Sequence, residues 1–75
     1  MIEVRLEDLS QVKDMGAGYG VPDENLVVIS NKLEPWEQRL TLIHEVVEIH
    51  LAECIDHDLI DAIAYDIYSA LEQLK

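Results

Sequence analysis

The chain is short of the features that mark exported, membrane-bound or nucleic-acid-binding proteins. It has one cysteine, Cys54. No disulfide can form within it, and an unpaired thiol fits a reducing cytoplasm better than a secreted setting. The opening residues Met1-Ile2-Glu3-Val4-Arg5-Leu6 lack the basic region and apolar run of a signal peptide. No stretch approaches the ~18 apolar residues of a membrane span, so the expectation is a cytoplasmic protein with no membrane role. Basic residues are also scarce: five Lys and Arg stand against sixteen Asp and Glu, a formal charge of −11. That balance repels phosphate backbones and anionic lipids, which argues against direct nucleic-acid binding. It suits solubility, attraction of cations, or a basic protein partner.

With 75 residues the chain supports one core, so a single domain over 1–75 is expected. Domains of this size bury only roughly 60% of the surface of their unfolded chain and often lean on a metal, a disulfide or a partner. With the disulfide excluded, a bound metal or a homodimer remains.

The pattern along the chain predicts an α+β fold: a small antiparallel sheet of two or three strands packed on two antiparallel helices. Ile2-Glu3-Val4-Arg5-Leu6 alternates apolar and charged residues, the period-two signature of a strand with one face on a core. Leu6, Leu9 and Val12 recur at threes, consistent with a short helical turn that the glycines at 16, 18 and 20 end. These glycines are not followed by Lys-Ser/Thr or by a helix pattern, so a phosphate-binding loop is a poor reading and backbone bending a better one. Pro22-Asp23-Glu24-Asn25 separates Tyr19-Gly20-Val21 from Leu26-Val27-Val28-Ile29, which reads as a hairpin. Residues 1–33 thus form a β-rich part.

A motif helix is expected over 34–54. Asn31 and Glu34 have capping-box spacing, and Pro35 suits the first helical position. Trp36, Leu40, Ile43, Val47, Leu51 and Cys54 recur at threes and fours as a core-facing stripe. A second helix is expected over 57–74, with Asp56 or Asp58 as its cap and Leu59, Ile60, Ile63, Ala64, Ile67, Leu71 and Leu74 along it. So short a connection makes the helices pack antiparallel or nearly so and returns His57 toward the first one.

The chemistry-bearing residues lie in Thr41-Leu42-Ile43-His44-Glu45-Val46-Val47-Glu48. At about 100° per residue, His44 and Glu48 fall within about 40° of each other on one helix face, so one cation can touch both. Imidazole nitrogen and carboxylate oxygen are ordinary zinc ligands. Glu45 points about 100° around the helix, placed to reach a water held by the ion without binding the ion itself.

Residues 41–74 resemble the small zincin-like metallopeptidases that phages and prophages commonly encode. The resemblance rests on Thr41-Leu42-Ile43-His44-Glu45-Val46-Val47-Glu48, on Ile55-Asp56-His57-Asp58-Leu59-Ile60 and on Asp66-Ile67-Tyr68. The upstream glycines and Leu26-Val27-Val28-Ile29-Ser30 look like the hairpin of the same proteins. The resemblance implies a minimal zincin-like fold in a bacterial host cell. It also implies a zinc peptidase, a hydrolase with His44, Glu48 and His57 as ligands and Glu45 as general base acting on a peptide substrate. The chain departs from the wider zincin pattern at Glu48, where metallopeptidases usually have His; a carboxylate there also suits a harder divalent cation.

Two rival readings follow from the same residues. One is a non-catalytic acidic inhibitor or nucleic-acid mimic on a zincin-like scaffold, using its carboxylates on a basic protein. The other is a structural domain in which the ion only closes the fold. Among the remaining residues, His50 and Cys54 have the spacing of a soft-metal pair, although Cys54 reads better as a small core residue. Asp61 is placed one turn after His57 to bond its free nitrogen. Trp36, Tyr65 and Tyr68 read as core or edge aromatics.

Overall fold

The computed structural model describes residues 1–10, 16–51 and 53–74. Three strands and two helices follow in order: β1 (Glu3–Glu7), β2 (Gly18–Val21), β3 (Leu26–Ser30), α1 (Pro35–Leu51) and α2 (His57–Glu72). The fold is α+β, a three-stranded sheet packed against two helices.

All five residues of β3, Leu-Val-Val-Ile-Ser, are buried. An unbroken apolar run is the mark of a strand covered on both faces, and such a strand is central. On one side β3 pairs antiparallel with β2, with Tyr19 opposite Val28 and Gly20 opposite Val27. The hairpin turns where expected, through a 3-10 turn at Pro22–Glu24 and a left-handed Asn25 whose N–H donates to the Pro22 carbonyl at 3.2 Å. On the other side β3 pairs with β1, from Glu3 opposite Leu26 to Glu7 opposite Ser30.

That second pairing is parallel, so the sheet is mixed with order β1-β3-β2, not wholly antiparallel as the sequence suggested. The hairpin occupies one edge of β3, and β1 takes the other, which makes the apolar β3 the central strand. Leu9, just beyond β1, packs with Leu26 and Val28 on one face of the sheet. Ser10 donates its N–H to the Asp8 carboxylate, while Gln11 and Val12 of the expected helical turn lie outside the described residues.

The other face carries α1. The helix starts at Pro35, but the predicted capping pair is displaced by one turn: the Glu34 N–H donates to the Glu37 carboxylate, and the Glu34 carbonyl accepts from the Gln38 N–H. Glycine lets the helix sit directly on β2. A Cβ at Gly18 would lie 2.6 Å from the Val28 carbonyl oxygen and 3.2 Å from Thr41 Cγ2; one at Gly20 would lie 3.0 Å from Ile49 Cγ1 and 3.6 Å from a Glu45 carboxylate oxygen. Thr41, Glu45 and Ile49, one turn apart, therefore face the sheet. The expected stripe is only partly covered: Trp36 is half exposed and Cys54 exposed, so Cys54 is not a core residue. The one buried residue of α1 is Glu45.

α2 begins as read. Asp56 is its cap, accepting the Leu59 N–H at 2.8 Å, and Ile60 and Ala64 are its buried residues. Removing the cap by Asp56→Ala should destabilise the domain by about 1 kcal/mol, lowering the melting temperature by roughly 4–8 °C in a thermal melt. The helices are antiparallel, because Arg39 early in α1 meets Glu72 at the end of α2 while Glu48 late in α1 meets His57 at the start of α2. Among the described residues no helix is long and apolar enough to cross a membrane.

Candidate metal centre

The antiparallel helix pair brings the three predicted ligands together. His44 and Glu48, one turn apart on α1, project toward the first turn of α2, where His57 is the first residue. His44 Nε2 lies 3.0 Å from Glu48 Oε2, and His57 Nδ1 lies 3.4 Å from the same oxygen. One nitrogen or oxygen from each of the three side chains falls within 4.8 Å of the others. The imidazoles meet edge to face with centroids 4.9 Å apart.

The two separations at Glu48 suit a small divalent cation. Ligand atoms about 2.0–2.1 Å from a tetrahedral ion stand roughly 3.3 Å apart, close to both separations at Glu48. Two imidazoles and a carboxylate form the donor set of a catalytic zinc site, in which three protein ligands leave a fourth position open. The trio is also graded in exposure. The His44 side chain is mostly covered, whereas that of His57 is 65% exposed, so the site opens on the α2 side.

Asp61 serves a different residue from the one expected. Its Oδ1 lies 2.7 Å from His44 Nδ1, whereas its Oδ2 is 3.9 Å from His57 Nε2. A carboxylate on the far nitrogen of an imidazole ligand fixes the ring's tautomer and orientation and raises its basicity. The sequence contained this placement: equal steps of four in opposite directions along antiparallel helices pair Glu48 with His57 and His44 with Asp61.

Glu45 sits beside the trio and outside it, as its helical phase requires. Burial beneath β2 raises its pKa above the ordinary carboxylate value, and the negative charge of Glu48 adds to the rise, while His44 and His57 oppose it. A carboxyl group so placed is a better proton acceptor than a solvated one. His44 and Glu45 together line a cleft of about 710 Å³ between the β2 side of the sheet and both helices. Its other walls include Gly18, Leu40, Ala64 and Tyr65, which makes it a largely apolar space open beside the carboxyl group. Tyr65 is thus an exposed wall residue, and no sequence signal distinguished it from an ordinary edge aromatic.

The His50–Cys54 pair is not assembled into a comparable group. Both residues are exposed, and among the described residues the cluster able to hold an ion is His44, Glu48 and His57.

Compared with known proteins, the chain matches no protein-family model, no curated protein and no solved structure.

Proposed function

We propose that this domain is a minimal metal-dependent peptidase of the zincin kind that phages and prophages encode, with His44, Glu48 and His57 as ligands and Glu45 as general base. The observation that carries the reading is the convergence of two imidazoles and a carboxylate within 4.8 Å beside a buried glutamate. Zinc bound there would act as a Lewis acid toward water and toward the carbonyl oxygen of a scissile amide. Glu45 accepts the proton of the attacking water and can return it to the departing amine nitrogen. Asp61 holds the His44 ring in the orientation that turns Nε2 toward Glu48. The apolar cleft next to Glu45 receives a substrate side chain and excludes water from it. The exposed, unpaired Cys54 suits a reducing cytoplasm.

The charge of −11 favours a second reading, an acidic inhibitor that uses the same scaffold to engage a basic protein without catalysis. The two separate on metal. Elemental analysis of tag-free protein is expected to find close to one zinc per chain, lost in His44→Ala and in His57→Ala. A wild-type protein that neither carries nor takes up a divalent ion would end the peptidase reading and leave the inhibitor.

A further inference from the structure

Among the described residues β1 is an edge strand with no neighbour on its outer side, and its backbone parity is set by two hydrogen bonds. The Glu3 N–H donates to the Asn25 carbonyl, and the Glu7 carbonyl accepts from the Asn31 N–H. In a parallel ladder the residues that bond to the neighbour alternate, so Glu3, Arg5 and Glu7 spend their backbone groups on β3. The N–H and C=O groups of Val4 and Leu6 point outward from the edge. Their side chains lie on the α1 face, opposite Val27 and Ile29, yet remain 46% and 57% exposed. With Ile29, Gln38, Arg39 and Leu42 they line a groove of about 210 Å³. The opposite face of β1 carries Glu3, Arg5 and Glu7, with Arg5 Nε donating to the Glu3 carboxylate at 2.6 Å.

We propose that two copies of the chain join antiparallel through β1, in the register that places Val4 opposite the partner's Val4, forming a continuous six-stranded sheet. The strand is self-complementary in that register alone. Ile2 then faces the partner's Leu6, so the apolar stripe continues across the two-fold axis, and Glu3 faces the partner's Arg5 on the other side. A shift of two residues in one direction sets Glu3 against the partner's Glu7 and Arg5 against the partner's Arg5. The opposite shift sets Glu3 against the partner's Glu3. Like charges directly opposite destabilise a strand pair. A larger shift that restores Arg5 to the partner's Glu7 places Val4 against the partner's Asp8. The hydrogen-bonding parity is also right, because Ile2, Val4 and Leu6, whose groups point outward, become the bonded pairs. The axis lies at the edge of the sheet opposite β2, so the interface is isologous and leaves the cleft at Glu45 open in both copies.

The test is sedimentation equilibrium over a concentration series at physiological salt, where net repulsion between acidic protomers is screened beyond about 8 Å. Wild-type protein should reach twice the 8.6 kDa monomer mass. Arg5→Glu turns both symmetric cross-strand pairs from opposite to like charge and should weaken the dimer about tenfold or more. The double swap Glu3→Arg with Arg5→Glu keeps the net charge of the wild type and should restore dimerisation. All the changed side chains are solvent-exposed, and circular dichroism would confirm that each variant is folded. A wild-type monomer throughout the series, an Arg5→Glu dimer of unchanged affinity, or a swap that fails to recover it would each overturn the proposal.

Discussion

Glu45→Gln is expected to abolish peptide cleavage while making the metal-free protein more stable at neutral pH. The first half follows from its place beside the ligands: a positioned general base contributes about 10²–10⁴ in rate, and Gln cannot accept the proton. The second half follows from burial. The carboxyl group sits under Gly20 and beside Glu48, and its folded pKa is raised above the ordinary value of 4.5. The folded protein therefore binds that proton more tightly than the unfolded chain does. The stabilisation this provides is complete below the unfolded pKa and is lost as pH rises through the folded one. At neutral pH the wild-type domain carries the penalty of a buried carboxylate, which Gln removes. Thermal melts in chelator from acidic to neutral pH should show the variant above wild type at pH 7, with the gap closing toward pH 4.5. Zinc stoichiometry should be unchanged, because Glu45 lies outside the proposed ligand trio. A Gln variant that still cleaves peptide would sink its assignment as base.

The other large effect is that of the ion on stability. A ligand that binds only the folded state, present at about 100 times its dissociation constant, stabilises by about 2.7 kcal/mol. In a domain of this length that is roughly 10–20 °C in melting temperature. Zinc should therefore raise the melt by about that amount, chelator should reverse it, and His44→Ala or His57→Ala should show no rise. Because the imidazoles must be unprotonated and the carboxylate ionised to bind, the increment should shrink as the solution is acidified. Asp61→Asn, which leaves all three ligands in place, is expected to weaken zinc binding about 10- to 100-fold. An equal zinc-induced shift in wild type and in both histidine variants would mean that the ion binds elsewhere.

Much of this site could be read before any coordinates, because its parts are local. The step from His44 to Glu48 is one helical turn, and the short connection after α1 leaves His57 little choice but to fold back. The hairpin was equally legible from Pro22 to Asn25, and Asp56 from its position ahead of an apolar-periodic run. What escaped was set at long range. Alternation in Glu3–Glu7 tells which side chains share a face, but not which neighbour the strand takes or in which direction it runs. Its parallel pairing with β3 is a contact between segments some twenty residues apart, on which the alternation carries no information. The apolar stripe of α1 misled for a related reason. Gly18 and Gly20 offer no side chains to pack against, so the helix approaches the sheet through Thr41, Glu45 and Ile49, and a glutamate takes the buried position that periodicity would give to an aliphatic residue.

Every proposed ligand, together with Asp61, lies between residues 44 and 61 on two helices joined by one tight connection, in which Cys54 and Ile55 both donate their N–H groups to the Leu51 carbonyl. The chain's tolerance to changes of length is therefore uneven. Residues added between β1 and β2 shift no ligand, because neither strand supplies one. A single residue added between Leu51 and Asp56 must either be absorbed by that turn or rotate α2 by about 100° and carry His57 and Asp61 off the face of α1. Descendants of this sequence can drift in the first connection while the second keeps its length.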